Sequence, residues 1–252
     1  MLYRGLFWAL SVREMKTKYA HTAAGWLWIL FNPTFNFLIL LFVFGVVLNI
    51  GESDVPRSII VLTGLLIWQP FSGALQSGVE SFARDLPMMK KIYFPKSYIP
   101  LSKLMYNALE TLILYFLTLI YLVLFHSQWI SLHPGYVLLG VLLLLLMSVG
   151  IALGVAGLAM RFRDIQYIAP LIVRLGFFAS PVGYMSTLVP DKWQLLYYIN
   201  PAAGAIDLLR AGLFKDTVIT ANVSVSAIVA VLLLLIGIWF FYKSEYRLSE
   251  TL

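Results

Sequence analysis

The sequence predicts an all-α polytopic membrane protein with six transmembrane helices, an N-terminal amphipathic helix at the interface, and re-entrant extracytoplasmic helices before the last span. Three observations carry this. Hydrophobic residues make up 61% of the 252 and charged residues 12%, against about 45–50% and about 25% in soluble domains. Apolar runs recur at lengths that cross about 30 Å of hydrocarbon at about 1.5 Å per helical residue. The alternating pattern of barrel strands does not recur, and backbone in hydrocarbon must satisfy its own hydrogen bonds, so the runs read as helices.

The first element, Leu2–Tyr19, places Arg4, Ser11, Glu14 and Lys18 on one stripe and Leu2, Leu6, Ala9 and Leu10 toward the other. It reads as an interfacial helix, although Arg13 falls within the apolar arc; an ordinary juxtamembrane tail is the alternative. Trp8, Trp26 and Trp28 suit the headgroup region. No small-residue cleavage site closes the first apolar run, so the mature chain is expected to start near Met1.

Spans are predicted at residues 27–50, 59–82, 100–125, 134–160, 165–184 and 223–242. Pro33, Pro70 and Pro170 fall early or mid-span, where neighbouring helices re-satisfy freed carbonyls. Pro100 and Pro134 suit first-turn positions. Residues 185–222 are too long for a turn and too broken for a span, with Pro190, Pro201 and Gly204 interrupting apolar patches. Two short helices dipping into the outer leaflet fit them. Irregular backbone at that depth survives only inside protein or beside a water-filled cavity, which hints at a conduit.

Basic residues set the orientation. Arg4, Arg13, Lys16 and Lys18 precede span one; Arg84, Lys90, Lys91, Lys96 and Lys103 lie between spans two and three; Arg161 and Arg163 follow span four; Lys243 and Arg247 follow span six. Only Arg57, Lys192, Arg210 and Lys215 fall on the other side. Both termini are therefore expected in the cytoplasm. The net charge of +6 belongs to these flanks and not to one contiguous stripe, so a membrane surface explains it and nucleic acid does not.

Several chemistries are excluded. There is no cysteine, hence no disulfide or thiolate metal site. His21, His126 and His133 are scattered and lack metal-ligand spacing. Neither a Gly-x-Ser-x-Gly elbow nor a phosphate-cradling Gly-rich loop is present. No stretch outside the spans is long enough for an ATPase domain, so any ATP energy comes from another polypeptide.

Ionisable residues inside spans are costly and default to function. Glu80 lies four residues before Arg84, the favourable order for a helical ion pair. Glu110 and Arg174 lie at similar depth on their helices and are expected to pair, serving either packing or an anionic substrate. Gly150-x-x-x-Gly154, with Ala152 and Ala156, forms a small-residue face for close helix packing, a dimer contact being the alternative. Flat rings suit the CH faces of sugars, so Phe31, Phe35, Tyr106, Tyr115, Phe177, Tyr184, Trp193 and Tyr197 are candidates to line a sugar path. Core, lipid-facing or belt roles are the plain alternative.

Several motifs in order resemble one family. They are Arg13-Glu14-Met15-Lys16-Thr17-Lys18-Tyr19 leading to Gly25-Trp26-Leu27-Trp28 and Asn32-Pro33; Lys90-Lys91-Ile92-Tyr93-Phe94-Pro95; Arg161-Phe162-Arg163-Asp164-Ile165; Ser180-Pro181; and Asn200-Pro201 before Asp207 and Arg210. Together they resemble the permease subunits of type-2 ABC exporters, particularly those for O-antigen, capsule and teichoic-acid polymers. The resemblance spans nearly the whole chain, read as a single transmembrane domain over residues 1–252. It implies a homodimeric channel in the bacterial inner membrane with two copies of a separate ATPase beneath it, that partner binding ATP and Mg.

By the same resemblance, a coupling element falls within residues 83–99, at Arg84, Asp85, Met88, Lys90, Lys91, Tyr93 and Phe94; a basic loop held at anionic lipid is the alternative. Residues 1–26 would form a cytoplasmic gate helix and residues 185–222 an extracytoplasmic gate. The substrate would be a glycan on undecaprenyl pyrophosphate, whose charge Arg4, Arg13, Lys16 and Lys18 would meet. Export of a drug or another lipid by a related permease is the competing reading, and a membrane-embedded glycan or lipid enzyme a more distant one.

Overall fold

A computed structural model of the chain describes residues 2–19, 25–47, 55–89, 94–215 and 220–250. These form nine α-helices: α1 (Leu2–Tyr19), α2 (Trp28–Phe42), α3 (Arg57–Met89), α4 (Tyr98–Phe125), α5 (Pro134–Ala159), α6 (Ile165–Ala179), α7 (Asp191–Tyr197), α8 (Pro201–Leu213) and α9 (Val223–Glu250). The described residues contain no strand, only an isolated antiparallel bridge between Ile130 and Phe214.

Among the described residues four helices are long and apolar enough to cross a bilayer, at Arg57–Ser81, Tyr98–Phe125, Pro134–Ala159 and Val223–Tyr246. Six were expected. The other two, α2 and α6, have 15 residues each, about 22 Å at 1.5 Å per residue. At its start α2 follows a 3₁₀ turn over Gly25–Leu27 with Gly25 at φ +51°, and it runs out into a π turn at Val43–Val47. Ser180 ends α6 in extended conformation (φ −108°, ψ 149°) because the residue before Pro181 is pushed out of the helical region. The helix therefore stops short of the expected Tyr184.

The 33-residue α3 exceeds its predicted span and carries helix to Met89. The expected loop at 83–99 therefore begins as helix.

At the centre is α5, packed against α3, α8 and α9. Gly150 faces the backbone of Leu233 and Leu234, and Gly154 faces Gly237. A Cβ on Gly237 would lie 2.1 Å from the Gly150 carbonyl oxygen, so this crossing of α5 and α9 is main chain on main chain. The small-residue face thus serves packing within the chain. The main core joins Leu65, Leu66 and Trp68 of α3 to Leu143 and Met147 of α5 and to Ile206 and Leu209 of α8.

Candidate functional site

Three polar regions interrupt this apolar bundle. The first lies where α1 meets α4. The docked face of α1 carries Leu10, Ser11 and Glu14, all buried, while Trp8 and Ala9 are exposed. The predicted polar stripe is thus turned partly inward, because α4 offers it polar partners. Lys103 Nζ, 5% exposed, lies 3.9 Å from Glu14 Oε2 and donates to the Glu80 carbonyl at 3.2 Å. Lys18 Nζ pairs with Glu110 Oε2 at 3.4 Å and sits 4.1 Å from the centre of the Tyr106 ring. The Tyr106 hydroxyl donates to Glu110 Oε1.

Glu110 therefore pairs with Lys18 and Tyr106, and not with Arg174. Spacing along a helix could not show that α3 packs against both α4 and α6; Arg174 is exposed on α6. Of the four cations expected to meet a pyrophosphate, Arg13 bonds Glu14 at 2.6 Å and Lys18 is held by Glu110. Arg4 and Lys16 are exposed.

The second region is the start of α4. Phe94 is 5% exposed and packs with Leu10, Ile99, Leu153, Ala156 and Phe241. Within the chain this candidate coupling residue packs among α1, α4, α5 and α9. Next to it the Lys96 N–H donates to Glu245 of α9 at 3.0 Å. Arg84, Asp85 and Met88 lie on the last turns of α3, whereas Lys90, Lys91 and Tyr93 lie outside the described residues.

The third region surrounds α8, which is buried from Pro201 through Gly212. Asn200 caps it by accepting from the Ala202 N–H at 3.1 Å, and Pro201 occupies the first turn. The Asn200 amide also donates to Ser180 Oγ at 2.7 Å, tying α8 to the end of α6. Arg210, 2% exposed, donates to Pro181 O at 2.6 Å, Ile60 O at 3.0 Å, Tyr184 O at 3.1 Å and Thr63 Oγ1 at 3.2 Å. Its Nη1 lies 3.9 Å from Asp207 Oδ1, and the Tyr198 hydroxyl donates to Asp207 Oδ2 at 2.7 Å. Burial pushes the Asp207 carboxyl up, while Arg210 and the Tyr198 hydrogen bond pull it back.

The planar guanidinium, with five N–H donors, thus joins α3, the segment after α6 and α8. Sequence reasoning treated Arg210 as an outer loop cation. The available signal was an Asp207-x-x-Arg210 pair inside an Ala- and Gly-rich helix that is apolar on its remaining sides.

The eight candidate aromatics do not share one surface. Phe31 and Phe35 adjoin on the exposed side of α2, with ring centres 6.1 Å apart. Tyr197 donates to Tyr184 at 3.4 Å. Phe177 packs edge-on against Trp68, Tyr115 packs on the main core, Tyr106 is buried against Lys18, and Trp193 is exposed on α7.

Comparison with known proteins identifies the family. The model of the ABC-2 type transporter family matches residues 5–214. The O-antigen export system permease protein RfbA of Klebsiella pneumoniae is 27% identical over 249 residues, covering 96% of this chain and 93% of that protein. Its Myxococcus xanthus namesake is 29% identical over 211 residues, 83% of this chain and 80% of its own length. The polysialic acid transport protein KpsM of Escherichia coli is 23% identical over 208 residues, 80% and 78% of the two chains. With a family match over most of its length and long apolar helices around a buried polar hub, the chain belongs to the ABC-2 type transporter family.

Proposed function

We propose that this chain is the membrane subunit of an ATP-driven exporter that carries a lipid-linked polysaccharide of the O-antigen type across the bacterial inner membrane. Near end-to-end similarity to permeases named for O-antigen export is the observation that carries this reading. The relatives named for polysialic acid transport are 22–23% identical, which favours O-antigen over capsule. No drug-efflux permease is needed to account for these matches.

In this reading α2 and α6, though short, complete six crossings, α7 and α8 form the re-entrant element, and both termini are cytoplasmic. The distribution of basic residues supports the orientation. Two copies form a channel, and two copies of a separate ATPase, which binds ATP and Mg, dock at residues 84–94. Phe94 holds that segment to the bundle core. The helix α1 is the cytoplasmic gate, closed by its bonds to Glu110 and Lys103, and the substrate is a glycan on undecaprenyl pyrophosphate.

The test is deletion of the chain in its native cell, with the surface polysaccharide and the undecaprenyl-linked pool measured together. Export predicts loss of the first and accumulation of the second, both reversed by the wild-type chain. An unchanged surface polymer would overturn the reading.

A further inference from the structure

A cavity of about 470 Å³ opens between α1, α2, α3 and α4, within the roughly 300–1,000 Å³ range of small-molecule sites. Its lining is unusual for a membrane bundle: Asn32, Gln69, Gln76 and Asn107 supply amides, Thr111 a hydroxyl and Glu110 a carboxylate. Asn107 is fixed by a bond from its amide to Ser77 Oγ at 2.8 Å. Gly73 allows α3 that close, a Cβ there meeting the Asn107 amide at 3.3 Å. Asn32 and Gln76 are exposed residues whose amides border the cavity.

The charge balance narrows what that is. Glu14, Glu80 and Glu110 line the cavity with only Lys18 and Lys103, and each of these ammonium groups already lies within ion-pair distance of one of the carboxylates. A multiply charged phosphate would be brought against three carboxylates. Among the described residues no three His, Cys, Asp or Glu side chains are placed to hold a metal ion. What remains complementary is an uncharged group whose neighbouring hydroxyls both donate and accept, as amides and carboxylates require.

We infer that this cavity, inside one protomer, binds an uncharged saccharide unit, with Asn32 donating to a sugar hydroxyl and Glu110 accepting from one. The site deepens the export reading and rests on it for the source of the sugar. It also separates sugar recognition from the carrier: the pyrophosphate is excluded from the cavity and is left to exposed cations such as Arg4 and Lys16.

Because the chain has no cysteine, Gln76→Cys places one thiol at the cavity in the full-length protein. Its labelling rate by a small thiosulfonate in lipid nanodiscs is measured with three probes: the undecaprenyl-linked glycan of the native cell, the saccharide released from it by mild acid, and the bare undecaprenyl pyrophosphate. At saturation the linked glycan slows labelling at least tenfold and the bare carrier does not; protection by the released saccharide tells whether the free sugar is also a source.

Adding Asn32→Leu raises the protecting concentration at least tenfold without lowering the melting temperature, whereas a purely structural Asn32 would lower it. Equal labelling with and without glycan, or protection by the bare carrier, overturns the site. Protection in a chain whose deletion leaves export intact removes the transport reading and leaves the site; export without protection removes the site alone.

Discussion

Arg210 and Lys103 are almost equally hidden, 2% and 5% exposed, yet their surroundings differ in kind. Arg210 spends its donors on carbonyls and a hydroxyl of α3 and of the segment after α6, and the space around it is filled by protein. Lys103 reaches the Glu80 carbonyl and the Glu14 carboxylate and lines a cavity. Burial alone therefore does not separate a charge held inside packed protein from one at the edge of a cavity. What separates them is whether the space beside the charge is filled by protein or left open.

The sharpest way to break this comparison is Arg210→Met. It strands Asp207 and four acceptors, and losing one partner of a buried pair costs about 3–5 kcal/mol. The folded yield after detergent extraction should collapse, and Arg210→Lys should not restore it, since one ammonium cannot replace a planar fork. Near-wild-type thermal stability for either variant would show that the hub is not structural.

Phe94→Ala follows, with a core truncation cost of about 3–5 kcal/mol. It should lower the melting temperature of the isolated chain, which an ATPase-contact residue would leave unchanged. Tyr198→Phe removes the hydroxyl that serves Asp207 and should cost about 1–3 kcal/mol, read from the same melting curves.

The smallest effect is expected from Glu110→Gln. Its pair with Lys18 has side chains 29% and 47% exposed, so solvent screening holds the loss below about 1 kcal/mol. If α1 is the gate, the same substitution should instead raise ATP hydrolysis in the assembled transporter. A large drop in stability here, comparable with that of Arg210→Met, would erase the distinction between the two regions.

Much of the bundle was legible because long apolar runs leave few alternatives: α3, α4, α5 and α9 and the Gly150–Gly154 face all follow from the sequence. Three things were not. Depth along a helix follows from counting, but the neighbour a side chain faces does not, which is why Glu110 was assigned to Arg174. Burial of α8 depends on α3, α5 and α9, the first two distant in sequence. The cavity was missed because Gln69, Gln76 and Asn107 are uncharged and a search for ionisable groups passes over them, although three amides within otherwise apolar spans were a usable signal.

The main-chain crossing of Gly150 and Gly237 bears on how the protein is made. Synthesis delivers α3, α5 and α8 before α9 exists, so the glycine face of α5 and one side of the Arg210-bearing helix stay uncovered until α9 follows. Ser226, which donates to the Tyr198 carbonyl at 2.7 Å, arrives with α9. A chain that stops before Val223 would carry its charges into the membrane with one wall missing, and quality control would meet it as a misfolded protein.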